Sequence, residues 1–299
     1  MNKGMLKGIA AYTLWGLFPI YWKMLHQVPA LQVIGNRIVW SFLLLAAVML
    51  FSNQWPAFRT ASASPRIIGI YSIAAVLLTI NWLVYVWGVN SGFIVETSLG
   101  YFINPLVSVL LGVLFLHERL RTTQWIPIGI ATVGVAYLTV AYGHLPGIAI
   151  TLALSFGFYG LVKKLAPLGS LYGLTLETGI VFPVALVYLL IVGLQGSGAF
   201  LQDGPQTTLL LILAGPVTTI PLLLFASAAK EIPLAIVGLL QYIAPTLQFL
   251  IGIFIYKEPF DKSLLVGFII IWIALILFWV ENYLSHRTPV EPIPELGEG

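Results

Sequence analysis

The chain has 299 residues, of which 59% are hydrophobic and only 8% charged, against roughly 25% charged in an ordinary soluble domain. That balance excludes a water-soluble globular fold and predicts an all-α integral membrane protein. The absence of cysteine removes disulfides, thiolate chemistry and iron–sulfur ligation, and the net charge of +3 is scattered over loops with no basic cluster to hold nucleic acid.

A bilayer core about 30 Å thick takes about 20 apolar residues per helix. Ten such stretches follow one another, near 6–24, 33–51, 67–89, 93–116, 123–142, 146–165, 170–193, 207–228, 234–256 and 263–283. They predict one ten-helix membrane domain over residues 1–283. The first stretch is long, aromatic and without a small-residue cleavage site, so it reads as a span and not as a removed signal. The tail 284–299, almost all of it SHRTPVEPIPELGEG, is rich in Pro, Glu and Gly and is expected to be disordered.

Basic residues report the orientation. With both termini inside, the inward loops hold Lys3, Lys7, Arg59, Arg66, Arg119, Arg121, Lys163, Lys164, Lys230 and Arg287, while the outward loops hold only Lys23, Lys257 and Lys262. Under the positive-inside rule this predicts cytoplasmic N- and C-termini in a bacterial inner membrane.

Ionisable residues within spans cost at least about 2.5 kcal/mol each and commonly face a cavity or a partner. Three stand clearly inside: Arg37 on the second span, Glu96 on the fourth and Glu177 on the seventh. Arg37 offers a fork of donors suited to a carboxylate or phosphate. Glu177 suits a cationic group or an exchangeable proton, and Glu96 is a second proton carrier to weigh. Arg37 and Glu177 are expected in opposite halves of the membrane, as two separate sites. Glu118 and Glu258, beside Arg119 and Lys257 at span ends, read as loop anchors or gate contacts.

Pro105 and Pro245 each remove an intrahelical hydrogen bond at mid-span, freeing the carbonyls of Tyr101 and Gln241 and predicting paired kinks. Gly100, Gly112 and Gly252 accompany them as close-approach or hinge positions. Polar and aromatic residues on these and neighbouring spans are candidates for a cavity wall: Asn81, Trp82 and Tyr85 on the third, Tyr101 and Asn104 on the fourth, and Gln241, Tyr242 and Gln248 on the ninth. Tyr12 and Trp15 belong to the same aromatic set, whereas Trp22, near a span end, fits an interfacial belt.

No GxxxxGK[ST] loop, metal-ligand spacing or Ser/His/Asp set occurs, so neither an enzyme nor a cofactor or metal is expected. The expected partners are a small-molecule substrate, membrane lipid and, as a coupling ion, protons, with no obligate protein partner evident. A passive channel is the rival to a carrier.

An internal repeat argues for the carrier. A shift of 140 lays SLGYFINPLVSVLLGVLFLHERL over GLLQYIAPTLQFLIGIFIYKEPF without a gap, pairing Pro105 with Pro245, Gly112 with Gly252 and Glu118 with Glu258. A shift of 141 lays TLWGLFPIYWK over LSFGFYGLVKK, pairing Gly16 with Gly157 and Lys23 with Lys164. Two five-helix halves, about 4–142 and 146–283, must be mutually inverted because five is odd. Glu96 and Asn104 have no polar counterpart, since Ile236 and Ala244 take their places.

The doubled motifs NPLVSVLLGVLFLHERL and APTLQFLIGIFIYKEPF, with TLWGLFP in the first span, resemble the EamA-type transporters of the drug/metabolite transporter superfamily. ETSLGYFINP, NRIVWSF and NWLVYVWGVN are similar to its RarD group, whose members are called chloramphenicol-sensitivity proteins or permeases. The resemblance implies ten helices around a central cavity and secondary transport of small amphipathic metabolites or drugs by alternating access. It does not specify the cargo.

Overall fold

The computed structural model describes residues 2–91, 93–142, 146–257 and 262–285. The helices are α1 (Lys3–Gly16), α2 (Phe18–Lys23), α3 (Ala30–Phe51), α4 (Trp55–Ser62), α5 (Pro65–Asn90), α6 (Ile94–Phe115) and α7 (Thr122–Tyr142). They continue with α8 (Gly147–Leu165), α9 (Ser170–Leu194), α10 (Pro205–Glu231), α11 (Leu234–Leu240), α12 (Ile243–Leu250), a π turn (Ile251–Ile255) and α13 (Lys262–Ser285). No strand occurs among the described residues. The expected disordered tail and Glu258 lie outside them.

Seven stretches among the described residues are long and apolar enough to cross a membrane: α3, α5, α7, α8, α9, α10 and the α11–π run Leu234–Ile255. The α1–α2 pair, α6 and α13 stand where the first, fourth and tenth spans are expected. Val133, Val140, Val184 and Ile276 are exposed on the outside of the bundle, as befits surfaces that meet lipid and not water.

Prolines decide where these helices break. Pro19 has no N–H to donate to the Trp15 carbonyl four residues earlier, and α1 ends at Gly16 before α2 resumes. The side chain of Gln248 supplies the missing donor to that carbonyl at 3.1 Å. The paired kinks expected at Pro105 and Pro245 are not equal. α6 runs unbroken through Pro105, whereas the ninth span is interrupted at Gln241 and Tyr242, between α11 and α12. The Gln241 carbonyl is not free, because Ala244 N donates to it at 3.2 Å. This tightening of the turn reclaims the acceptor that Pro245 orphaned, at the cost of a continuous helix. Gly252 falls in the π turn that follows.

Packing pairs the helices in a regular way. α6 packs on α8 as α11 and α12 pack on α1, and α5 packs on α8 as α10 packs on α1. α3 meets α9, α6 meets α11, and α7 meets α13. Glycine permits the tightest approaches. A methyl at Gly16 would stand 2.7 Å from Leu247, and one at Gly157 would stand 2.6 Å from Val107. At the crossing of α6 and α11, a methyl at Gly238 would meet the Pro105 carbonyl oxygen at 2.7 Å and Ser108 Cβ at 2.8 Å. Backbone cannot yield as a side-chain tip does, so Gly238→Ala is expected to cost about 1–3 kcal/mol. The thermal unfolding midpoint of the purified protein checks this, with Gly129→Ala, which has nothing within 4 Å, as the substitution expected to cost nothing.

Candidate substrate cavity

Polar residues on six helices converge because each must avoid the lipid face. They enclose a cavity of about 240 Å³ between α1, α2, α3, α5, α6 and the broken ninth span, with Phe156 of α8 and Leu222 of α10 completing it. Arg37, Asn81, Trp82, Tyr85, Tyr101, Asn104, Gln241, Pro245 and Gln248 all line it. Tyr12, Trp15, Phe18 and Trp22 contribute aromatic wall.

Arg37 is the sole charged residue in that lining. Its Nε donates to Thr218 Oγ1 at 2.9 Å, and its guanidinium carbon lies 4.8 Å from the centre of the Trp22 ring and 4.4 Å from that of Trp82. Trp22, read from the sequence as an interfacial residue, thus lines the cavity; the charge two turns into the next span, at Arg37, is the signal that could have placed it there. Asn81 Nδ2 donates to the Leu152 carbonyl at 2.9 Å and Ser155 Oγ at 3.0 Å, and Gln241 Nε2 donates to Ser108 Oγ at 3.1 Å. Asn104 Oδ1 and Gln241 Oε1 are buried without a hydrogen-bond partner among the described residues.

Tyr242, Glu96, Gly100 and Gly112, expected at the site, lie outside its lining. Tyr242 is fully buried outside the lining and donates to the Phe102 carbonyl at 3.2 Å, tying the ninth span to α6. Glu96 Oε1 accepts from Ile148 N at 2.6 Å, so this acid caps the start of α8, where unpaired N–H groups gather. Gly100, one turn on, lets α6 approach the Ala149 backbone, which a methyl there would meet at 3.1 Å. Glu118 does for α11 what Glu96 does for α8, accepting from Leu234 N at 2.6 Å and Ala235 N at 2.9 Å. Gly112 makes room for it, since a methyl would come within 2.5 Å of the Glu118 carboxylate.

Glu177 also lies outside the lining. Its Oε1 accepts from Lys163 Nζ at 2.6 Å and its Oε2 from the Tyr159 hydroxyl at 3.2 Å. Lys163 and Glu177 are only 1% and 2% exposed. Lys163, counted among the loop charges, is thus a fourth charge within the bundle, concealed in the sequence by its neighbour Lys164 at the span end. Arg37 and Glu177 do not pair, as their expected depths require.

An aromatic floor separates the cavity from this ion pair. Trp15 packs on Tyr12 at 5.3 Å and on Phe156 at 5.8 Å, Phe156 on Phe225 at 5.3 Å, and Phe225 stacks on Tyr159 at 5.9 Å. Beyond it, α8 and α10 cap each other's C-terminal ends. Lys164 donates to the carbonyls of Ala229 and Ile232 at 3.1 and 2.7 Å. Lys230 donates to those of Ala166, at 2.8 Å, and Leu168. Removing one member of a buried ion pair strands the other, so Glu177→Leu is expected to cost about 3–5 kcal/mol. The double substitution Lys163→Met with Glu177→Leu should recover most of that loss, as read from unfolding midpoints of single and double variants.

The profile of the EamA-like transporter family matches residues 2–140 and again 146–280. The chain is 49% identical over 282 residues to the uncharacterized transporter YojE of Bacillus subtilis, covering 93% of each. It is 40% identical over 286 residues to protein RarD of Escherichia coli, covering 96% of this chain and 97% of the relative. A solved crystal structure superposes with a TM-score of 0.70 at 17% identity, over 96% of this chain and 99% of the other, which shows a shared fold. The polar cavity inside an apolar helical bundle is thus set in a chain of known kinship: the protein belongs to the EamA-like transporter family, with RarD-type relatives, and is an integral multi-pass membrane protein.

Proposed function

We propose that the protein is a secondary transporter that moves small amphipathic metabolites or drugs by alternating access, with the cavity around Arg37 as its substrate site. The observation that carries this reading is a polar and aromatic cavity walled by both halves of the chain and floored at one end by Tyr12, Trp15, Phe156 and Phe225. Its volume of about 240 Å³ falls below the roughly 300–1,000 Å³ of drug-sized sites, which favours small cargo.

Alternation rests on ten spans in two inverted halves. Supporting this, Gly16 meets Leu247 as Gly157 meets Val107, contacts related by the offsets of the internal repeat. His117 and Lys257, 140 apart, both adopt positive φ, 51° and 52°. In this reading the termini are cytoplasmic, the membrane is the bacterial inner membrane, and the floor closes the cytoplasmic side. Glu96 and Glu177, the proton carriers weighed from the sequence, hold a helix cap and an ion pair, and this reading assigns coupling to neither.

Counterflow in sealed proteoliposomes tests the reading. Uptake of labelled substrate driven by preloaded unlabelled substrate is expected, whereas flux that never saturates marks a passive channel and sinks it. Equal uptake with and without a pH gradient in Glu177→Gln and wild type is the expected control; a gradient that drives the wild type alone returns Glu177 to a coupling role.

A further inference from the structure

Resting on that reading, we infer that the cargo is a small organic anion, its carboxylate or phosphate held by Arg37, its apolar body against the tryptophans and a hydrogen-bond donor turned toward Asn104. A cation buried away from water is costly unless neutralised. Yet Arg37 has no carboxylate partner among the described residues, and no Asp or Glu lines the cavity. Its Nε donates to Thr218 and its guanidinium packs on the rings of Trp22 and Trp82. The terminal donors carry no hydrogen bond among the described residues, in the plane where a carboxylate or phosphate bonds in two places at once.

Two amides of the lining have their orientation fixed by what they donate to. Asn81 and Gln248 spend their amide nitrogens on the carbonyls of Leu152 and Trp15, acceptors only, so the nitrogen assignment is fixed by chemistry. Asn104, 7% exposed, keeps an unpartnered Oδ1 in the lining. One unneutralised cation, flanking indoles and a buried carbonyl oxygen together describe an anion that carries an apolar ring or chain and an N–H or O–H.

Four ring-matched probes test this on the full chain in lipid nanodiscs: phenylacetate, phenyl phosphate, neutral phenylacetamide and cationic phenethylammonium. Binding is read by calorimetry and by tryptophan fluorescence. At least one anion should bind about tenfold or more tighter than the neutral and cationic probes, a step of about 1.4 kcal/mol. Which anion wins separates a carboxylate from a phosphate cargo. Arg37→Gln should abolish that preference, bringing the anions level with phenylacetamide, and Arg37→Lys, which keeps the charge without the planar fork, should retain part of it. Equal binding of all probes to the wild type, or an anion preference that survives Arg37→Gln, overturns the anion assignment and leaves the cavity reading standing. Binding of no probe overturns the assignment, and absence of counterflow as well overturns the transporter reading.

Discussion

A backbone group inside a bilayer has no water to turn to, and the ends of helices are where such groups collect. In this protein charged side chains from other helices meet that demand. Glu96 closes the start of α8 and Glu118 the start of α11. Lys164 closes the end of α10 and Lys230 the end of α8. Each charge sits where the helix dipole favours it, anions at N-termini and cations at C-termini. The caps also fix which helix ends lie together, and so which end of the bundle is shut.

The same demand shapes the cavity. Pro19 and Pro245 interrupt the first and ninth spans at the depth of the polar lining, and the residues that repair the breaks are the ones that build the site. Gln248 serves the Trp15 carbonyl and lines the cavity. Gln241 lies at the break itself, reaches Ser108 on α6 and lines the cavity too. α6 continues unbroken through Pro105 beside Gly238, its partner in a backbone-to-backbone crossing. A wall that is broken on one side and continuous on the other leaves space between helices that otherwise pack closely.

Much of this was legible in the sequence, because a polar residue at mid-span has few reasons to be there. Asn81, Tyr101, Asn104, Gln241 and Gln248 were identifiable by that argument and do line one cavity. The argument failed where partners come from distant sequence. Glu96 lies in the first turn of α6, and nothing local reveals its bond to Ile148, 52 residues away. Lys163 stood beside Lys164 at a span end and read as a loop charge, since nothing local reveals that Glu177 lies behind it. The prolines paired by symmetry differ in local outcome, since α6 continues through Pro105 while the ninth span is interrupted just ahead of Pro245.

The repeat offset sets the ion pair and the cavity cation side by side on corresponding helix pairs. A shift of 141 carries Trp22 onto Lys163, Asn36 onto Glu177 and Arg37 onto Thr178. Where the first half sets Trp22 against Arg37, the second half sets Lys163 against Glu177. Both halves therefore carry a cation at this helix pair, and they differ in what neutralises it. In the second half an acid of the same chain does so, permanently, and the result belongs to the scaffold. In the first half indoles cover the faces of the cation and its edge is left without an acid. Departure from symmetry alone does not mark a functional residue, as the helix cap made by Glu96 shows. A cation inside the bundle without a counter-charge is the sharper guide, because it carries a cost that a bound anion would offset.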